Sequence, residues 1–372
     1  MKIKIILTGL LLQTSLFLFS QTTIVDSIIS NGIYRSYRLY IPAAYSGSAD
    51  WPLVFDLHGY TSNAYQEQFY SNFMPIADTA HFLVVYPQGT TMGGQAYWNA
   101  GQGGSANDAL FISDLIDTLK ANYAIDANSI YSCGMSNGGY MSHSLACVLN
   151  DKIAAIASVT GSMFSPQYLS CNPGRPVPAM QISGTGDATV PYLGGPGTLH
   201  IDTVVKYWVN HNNCNTTPAF SNVPNTSLTD GCTAEHYVYS GGANGSSVEL
   251  YRVINGGHTW PGSPFIVGIT NQDFNASLKI WLFFKKYKLS QFTGVEENKN
   301  DAGIVIYPNP ADNTLIINGM DKNTTAVVYD LNGKKMMELN TEQPDISELP
   351  KGVYSVVLKH NNQLTIKRLI KL

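Results

Sequence analysis

The residue best suited by type and spacing to do chemistry is a serine between two glycines. Ser136 lies in the segment Gly134–Met135–Ser136–Asn137–Gly138, after the apolar run Ile130–Tyr131 and before a helical pattern from Tyr140 to Val148. With 33 glycines in the chain, this spacing alone is a weak signal, and a Gly-Ser surface turn is the alternative. The strand before it and the helix after it favour a sharp turn that exposes a nucleophilic serine.

A serine alcohol attacks an acyl carbon effectively only when a base takes its proton. A histidine held in the right tautomer by a carboxylate does this. Asp187 follows the β-type run Met180–Ser183, and His258 follows the run Val248–Ile254, in the chain order expected after such a serine. We therefore predict Ser136, Asp187 and His258 as the catalytic residues, with an ordinary turn aspartate as the alternative for Asp187.

The other histidines considered for the base fit less well. His81, His143 and His211 lie before the acid or on helix faces, where a packed or solvated histidine is expected. His236, between Cys232 and a strand pattern, is the one serious rival to His258.

Backbone donors must also stabilise the negative charge that develops on the carbonyl oxygen. The β-type run Leu53–Leu57 leads into His58–Gly59–Tyr60. We predict the backbone N–H groups of Tyr60 and Asn137 as the oxyanion hole, with His58 orienting its loop. Trp98 and Trp260 lie in Gly-rich loops and are predicted to line the substrate pocket, a buried core position being the alternative for each.

The elements that must position these residues alternate between strands and helices from Tyr34 to about Tyr287. This alternation predicts an α/β fold, a mostly parallel sheet with helices on both faces. A polar linker is predicted at 291–302, after an enzyme domain at 21–290. Short β-type runs separated by turns then predict a small C-terminal β-sandwich at 303–372.

The amino-acid composition and the N-terminal segment indicate which partners and which cellular compartment to expect for this protein. The formal charge of −4, with 13% charged residues and no basic stripe, argues against a nucleic-acid partner. Lys2 and Lys4 before an apolar run predict a signal peptide at 1–20, with an anchoring helix as the alternative. No metal or nucleotide motif is present, so no cofactor and no metal are predicted. No membrane span is expected in the mature chain.

The chain has five cysteines, which can form disulfides if the chain is exported to an oxidising compartment. Cys133 precedes the Ser136 turn in an apolar run, which indicates a buried thiol. The remaining four could pair in three ways, of which near-neighbour pairing closes the shortest loops.

Several of these motifs occur together in one order: His58–Gly59, Tyr86–Gly89, Asn107–Asp108, Gly134–Gly139, Gly184–Asp187 with Val190–Tyr192, and Gly257–Gly262. In this combination the region from about 30 to 290 resembles the polyhydroxybutyrate depolymerase and feruloyl esterase group of secreted α/β-hydrolases, which is related to carbohydrate esterase family one. The resemblance implies the α/β-hydrolase fold and the same three catalytic residues. It also implies the disulfides Cys147–Cys171 and Cys214–Cys232.

The C-terminal segment carries a second resemblance. Tyr307–Ala311, Val328–Lys334, Leu349–Tyr354 and Lys367–Lys371 are similar to the type A sorting domain of the type IX secretion system. This resemblance implies contact with that secretion machinery through 303–372. It also implies export through the periplasm and outer membrane, with release or surface attachment.

The leading functional hypothesis is a secreted serine carboxylic-ester hydrolase that acts on an extracellular polymer. Two substrate classes are open: feruloyl or acetyl esters of plant polysaccharide, and polyhydroxyalkanoate-type polyester. The alternatives are a serine peptidase with the same three residues and a non-catalytic surface carbohydrate-binding protein on a degenerate hydrolase fold.

Overall fold

A ten-stranded sheet organises the N-terminal part of the chain in this computed structural model, which describes residues 21–101, 106–293, 305–320, 324–330, 333–360 and 363–372. The chain divides into two units, one ending at Thr293 and one starting at Gly294. The predicted signal peptide at 1–20 and most of the predicted linker at 291–302 lie outside the described residues. The boundaries 21–290 and 303–372 stay predictions.

The strands of the first unit are β1 (Thr22–Ser30), β2 (Ile33–Ile41), β3 (Trp51–Leu57), β4 (Leu83–Pro87), β5 (Thr90–Met92), β6 (Gln95–Tyr97), β7 (Ile125–Met135), β8 (Ala155–Val159), β9 (Ala179–Gly184), β10 (Ala219–Asn222), β11 (Thr233–Tyr239) and β12 (Val248–Ile254). The large sheet has the order β1-β2-β4-β3-β7-β8-β9-β12-β11-β10, and β5 and β6 form a separate hairpin. Neighbouring strands from β4 to β12 in this order are parallel, and the outer pairs are antiparallel.

The helices of this unit are α1 (Ala64–Tyr70), α2 (Met74–Ala80), α3 (Asp108–Asn122), α4 (Asn137–Val148), α5 (Ser165–Ser170), α6 (Ile201–His211), α7 (Ala276–Phe284) and α8 (Ser290–Thr293). Two apolar cores lie on opposite faces of the sheet because strand side chains alternate, as Val54 and Phe55 do on β3. Helices α3, α4 and α6 pack into the Phe55 core, and α1, α2 and α7 pack into the Val54 core. The predicted mostly parallel sheet with helices on both faces is confirmed.

The carboxyl ends of parallel strands meet at one edge of the sheet, where ligands bind in open α/β folds. The loop with His58 follows β3, Ser136 follows β7, Asp187 follows β9 and His258 follows β12. Residues up to 200 positions apart in the chain, such as His58 and His258, therefore gather at this edge.

The cysteines confirm one pairing and correct another. Cys147 and Cys171 form a disulfide with a Cα–Cα distance of 5.1 Å, as expected. The expected bridge Cys214–Cys232 is wrong, since both residues are free thiols. Cys214 packs into the Phe55 core and Cys232 into the Val54 core, so the sheet lies between them. Cys133 is a buried free thiol.

The C-terminal unit contains two small antiparallel sheets. Their strands are β13 (Val305–Tyr307), β14 (Ile316–Asn318), β15 (Thr324–Tyr329), β16 (Lys335–Leu339), β17 (Gly352–His360) and β18 (Gln363–Lys371). Ile317 from one sheet and Val328 and Val356 from the other belong to one buried apolar cluster. The sheets thus share a core, as the β-type runs predicted.

Candidate active site

Ser136 occupies a strained turn between β7 and α4. Its backbone has φ 52° and ψ −117°, a left-handed conformation that side chains rarely adopt. Its N–H donates to the Val159 carbonyl at 2.8 Å, and its own carbonyl accepts from Tyr140 N–H at 3.0 Å. A Cβ atom at Gly138 would clash with the Leu57 carbonyl oxygen, so only glycine fits there. The turn therefore has the geometry of a nucleophile elbow.

Asp187 and His258 are joined by a hydrogen bond of 2.7 Å between Oδ2 and Nδ1. The other carboxylate oxygen, Oδ1, accepts from the backbone N–H groups of Thr189 and Val190, both at 2.8 Å. Three donors therefore fix the carboxylate, and its contact with Nδ1 leaves Nε2 of His258 as the free ring nitrogen. His258 and Ser136 line the same cavity.

The backbone N–H groups of the two predicted oxyanion donors are available to bind a substrate oxygen. Among the described residues, neither the Tyr60 N–H nor the Asn137 N–H donates a hydrogen bond. Asn137 opens α4, whose first N–H groups have no partner within the helix. Gly59 lies beside Ser136, since a Cβ atom built on Gly59 would lie 3.6 Å from Cβ of Ser136. The Tyr60 loop and the Ser136 turn are thus adjacent.

His58 holds the loop that carries Tyr60. The Gly89 N–H donates to Nε2 of His58 at 2.9 Å, so the proton lies on Nδ1, which contacts the Gly59 carbonyl at 2.8 Å. Burial lowers the pKa of His58 to about 4, so the ring is neutral at physiological pH. This placement matches a loop-orienting residue rather than a base.

Trp98 is part of the core and does not line the substrate pocket, which corrects the prediction. Its side chain is fully buried and stacks on Phe111. The indole Nε1–H donates to the His58 carbonyl at 3.0 Å, and the backbone N–H donates to Asn137 Oδ1 at 2.6 Å. Asn137 Nδ2 returns a bond to the Trp98 carbonyl at 3.0 Å. Trp98 thus connects the two segments that carry the predicted oxyanion donors.

Trp260 also belongs to the core, against the prediction for the pocket. It is fully buried, packs edge-on against Phe73, and its indole N–H donates to Ser277 Oγ at 3.0 Å. In both cases the Gly-rich loop suggested exposure, but the loop folds the indole inward onto the sheet. The sequence alternative, a buried tryptophan, is correct for Trp98 and Trp260.

The cavity at Ser136 has a volume of about 520 Å³. Its walls are largely apolar and include five aromatic side chains, few of which were singled out from the sequence. The lining residues are Gly59, Tyr60, Ser62, Tyr65, Gln66, Glu67, Phe69, Tyr70, Met135, Ser136, His258 and Phe265. Five of the twelve come from α1. The start of this helix is signalled in the sequence by Asn63, whose side chain accepts from Gln66 N–H at 2.9 Å.

A second cavity of about 390 Å³ meets Ser136 from the other side. Its walls are more polar overall and carry hydroxyl groups from Tyr97, Tyr140, Thr189 and Thr198. Ser136 therefore lies between an aromatic cavity and a more polar one. This arrangement suits an ester whose two halves differ in polarity.

His236 lies away from this site. Its Nε2 contacts Glu249 Oε2 at 2.8 Å, and its ring stacks on Tyr251 at 4.0 Å. It sits on β11, and neither cavity at Ser136 has it in its wall. The structure brings His258, and not His236, to the Ser136 edge of the sheet.

Residues 35–181 match the family model described as Esterase PHB depolymerase. Two curated relatives are the bifunctional acetylxylan esterase/xylanase XynS20E of Neocallimastix patriciarum, 32% identical over 178 residues, and feruloyl esterase B of Piromyces equi, 27% identical over 236 residues. The first alignment covers 48% of this chain and the second 60%. The N-terminal unit is homologous to these esterases. The chain spans only 25% and 42% of the length of these two relatives.

The fold comparison agrees with this homology. An acetyl xylan esterase from Aspergillus awamori superimposes with a TM-score of 0.53 at 15% identity, over 70% of this chain and 99% of that one. The N-terminal unit has the α/β-hydrolase fold, as predicted.

Residues 305–372 match the model described as Secretion system C-terminal sorting domain. The match indicates export by the type IX secretion system to the cell surface or extracellular space, which confirms the predicted localisation. Within the described part of the chain, no helix combines the length and hydropathy needed to cross a membrane.

Proposed function

We propose that the N-terminal unit, predicted as residues 21–290, hydrolyses carboxylic esters of an extracellular polymer by a Ser-His-Asp acyl-enzyme mechanism. The observation that carries the proposal is the 2.7 Å bond from His258 to Asp187 beside a cavity that also contains the strained Ser136. The homology to acetylxylan and feruloyl esterases supports an ester rather than an amide substrate.

The mechanism follows from the positions of the proton donors and acceptors. Nε2 of His258 takes the hydroxyl proton as Ser136 Oγ attacks the ester carbonyl carbon. The N–H groups of Tyr60 and Asn137 stabilise the oxyanion, and such a donor contributes about 3–4 kcal/mol to the transition state. His258 then protonates the leaving alcohol. Water, deprotonated by His258, cleaves the acyl-enzyme and frees Ser136.

The two cavities suggest how the polymer ester is divided. The aromatic cavity of about 520 Å³ suits the acyl group, and the hydroxyl-lined cavity suits the alcohol half. A carbohydrate alcohol fits such polar walls better than a second aliphatic acyl unit does. We therefore favour feruloyl or acetyl esters of plant polysaccharide over polyhydroxyalkanoate-type polyester.

An activity panel on the full chain tests this proposal. We expect hydrolysis of methyl ferulate or acetylated xylan, with slower release from polyhydroxybutyrate and little cleavage of peptide amides. Efficient amide cleavage would favour a serine peptidase. Binding of xylan without hydrolysis of any ester would favour a non-catalytic carbohydrate-binding protein.

The sorting segment, predicted as 303–372, is proposed to contact the secretion machinery.

A further inference from the structure

A surface groove of about 500 Å³ lies apart from the two cavities at Ser136. It is lined by residues of α5, of the segment that follows α5, and of α6, and we call it the α5–α6 groove. Three ring side chains, Tyr168, Tyr207 and His211, line it together with two amides, Asn172 and Asn210. None of these five residues lines either cavity at Ser136. The groove is therefore a separate feature of the N-terminal unit.

The rings of the groove are fixed by bonds within the protein. The Tyr207 hydroxyl donates to the Cys171 carbonyl at 2.9 Å, and His211 Nε2 donates to the Arg175 carbonyl at 2.8 Å. The rings of Tyr207 and His211 lie nearly parallel, at an angle of 8°, and Tyr168 packs edge-on against Tyr207 at 5.5 Å. A ligand that binds here has little side-chain motion to arrest, which favours affinity.

The polar side chains of the groove suit a neutral ligand that carries hydroxyl groups. Asn172 and Asn210 are exposed amides, and Thr203 adds a hydroxyl group to the wall. Amide and hydroxyl groups both donate and accept hydrogen bonds, as a hydroxyl on a ligand does. Among the described residues that line the groove, Lys206 is the only Lys, Arg, Asp or Glu. One positive charge is too little to select a polyanion.

A sugar ring has the two kinds of surface that these walls match. Its C–H groups form an apolar face that can pack on an aromatic ring, whose own face is weakly negative. Its hydroxyl groups project from the edge of the ring, where amide side chains can bond to them. Fixed aromatic rings beside exposed amides therefore indicate a carbohydrate ligand.

The groove continues from the hydroxyl-lined cavity at Ser136. Phe164, the residue before α5, lines that cavity. Tyr168 lies one helical turn further on, about 6 Å along the axis, and its N–H donates to the Phe164 carbonyl at 2.9 Å. Cys171 at the end of the groove is bonded to Cys147 of α4, the helix that begins directly after Ser136. A chain that enters the cavity can thus extend along α5 into the groove.

We propose that the α5–α6 groove binds sugar units of a polysaccharide, apart from the unit whose ester lies at Ser136. The ligand class is a neutral polysaccharide chain. The choice of a polymer rests on the proposed function, whereas the preference for a sugar comes from the walls of the groove. Binding at a second point keeps the polymer on the enzyme and raises the effective concentration of its esters at Ser136.

The first test measures binding of unesterified xylo-oligosaccharides to the full chain by isothermal titration calorimetry. These ligands contain no ester, so Ser136 does not consume them. We expect binding by the wild type, and about tenfold weaker binding by Tyr168→Ala and by the double variant Asn172→Ala/Asn210→Ala. The double variant replaces only exposed side chains, so it does not disturb the core. Tyr34→Ala, which changes a tyrosine on β2 that is 77% exposed, is the control and should bind like the wild type.

The second test relates the groove to catalysis. Acetylated xylan is long enough to reach the groove, and 4-nitrophenyl acetate is not. For Tyr168→Ala we therefore expect the ratio of kcat/KM on acetylated xylan to kcat/KM on 4-nitrophenyl acetate to fall by about tenfold. Tyr34→Ala should keep the wild-type ratio. An unchanged ratio in Tyr168→Ala would overturn the role of the groove in holding the polymer.

Blocking Ser136 shows which site the sugar occupies. The wild type labelled with a fluorophosphonate at Ser136 should still bind the xylo-oligosaccharides. Loss of binding on labelling would place the sugar in the Ser136 cavity and overturn the inference, as would wild-type affinity in both groove variants or no binding by the wild type. If the protein hydrolyses no ester but binds the oligosaccharides through the groove, the proposed function fails and the sugar site stands.

Discussion

Trp98 and Asn137 exchange two hydrogen bonds, from Trp98 N–H to Asn137 Oδ1 at 2.6 Å and from Asn137 Nδ2 to the Trp98 carbonyl at 3.0 Å. Asn137 directly follows Ser136 and carries one proposed oxyanion donor on its backbone. The Trp98 indole also bonds to the His58 carbonyl, so the same residue fixes the loop of the second donor. The geometry of the proposed oxyanion hole thus depends on the bonds that Trp98, a residue of the core, makes to Asn137 and His58.

Replacement of Asn137 by alanine keeps its backbone N–H but removes both bonds to Trp98. We expect kcat to fall by up to about 10²-fold with a smaller change in KM, because the donor acts on charge present only in the transition state. Two buried backbone groups of Trp98 lose their partners, so the free energy of unfolding should fall by about 1–3 kcal/mol.

The measurements for this variant are steady-state kinetics on 4-nitrophenyl acetate and urea unfolding. Asn222→Ala, on the exposed strand β10, is the matched control and should change neither. An Asn137→Ala protein with wild-type kcat would show that the Trp98 bonds do not position the donor.

Replacement of Asp187 by asparagine alters the hydrogen bond to His258 with little change in shape. We expect kcat to fall by about 10⁴-fold, because an amide nitrogen facing Nδ1 favours the wrong imidazole tautomer. Asp117→Asn, which changes an exposed ion pair with Lys152, should retain full activity. Comparable rates for the two variants would remove Asp187 from the mechanism.

The number of free thiols tests the cysteine pairing. The structure has one disulfide, Cys147–Cys171, and free thiols at Cys133, Cys214 and Cys232. Thiol titration of the unreduced protein in denaturant should therefore give three thiols per chain. A single thiol would mean that a second bridge forms and that the sheet does not separate Cys214 from Cys232.

The buried histidine His143 should make stability depend on pH. Burial lowers its pKa from 6.5 to about 4, so the unfolded chain binds more protons than the folded one below pH 6.5. Its contribution to the free energy of unfolding, about 3 kcal/mol, is present above pH 6.5 and is lost as the pH falls towards 4. Asp56 acts in the opposite direction, since burial raises its pKa to about 7.

Because these effects overlap, the test is the difference between wild type and His143→Gln. The free energy of unfolding is measured by urea unfolding of both proteins between pH 4 and 7. As the pH falls through this range, the wild type should lose more stability than His143→Gln does. Parallel profiles would show that His143 does not bind protons on unfolding in this window.

Local sequence patterns were sufficient to predict much of the fold and the loops of the candidate site. The sequence predicted the loops of Ser136, Asp187 and His258 because each follows an apolar strand pattern, and parallel strands end at one edge. The structure brings Asp187 and His258 into contact there. The catalytic roles themselves remain predictions until they are measured.

The wrong predictions concerned which face of the sheet, or which side of a loop, a side chain occupies, and separation along the chain does not determine this. Cys214 and Cys232 are near in sequence but lie on opposite faces of the sheet. Trp98 and Trp260 lie in Gly-rich loops yet point into the core. The cavity-lining residues of α1, such as Tyr65 and Phe69, were missed because the helix has only seven residues, although Asn63 signals its start. Which side of a sheet a residue faces depends on tertiary packing.

The central claim, that Ser136 is the nucleophile, is tested most directly by covalent labelling. The full-length protein is treated with a fluorophosphonate probe, and the labelled peptide is identified by mass spectrometry, with Ser136→Ala as the control. We expect one modification, on Ser136, with loss of 4-nitrophenyl acetate hydrolysis in step with labelling, and neither labelling nor hydrolysis in Ser136→Ala. Full hydrolytic activity in Ser136→Ala, or labelling of another serine in the wild type, would contradict the account.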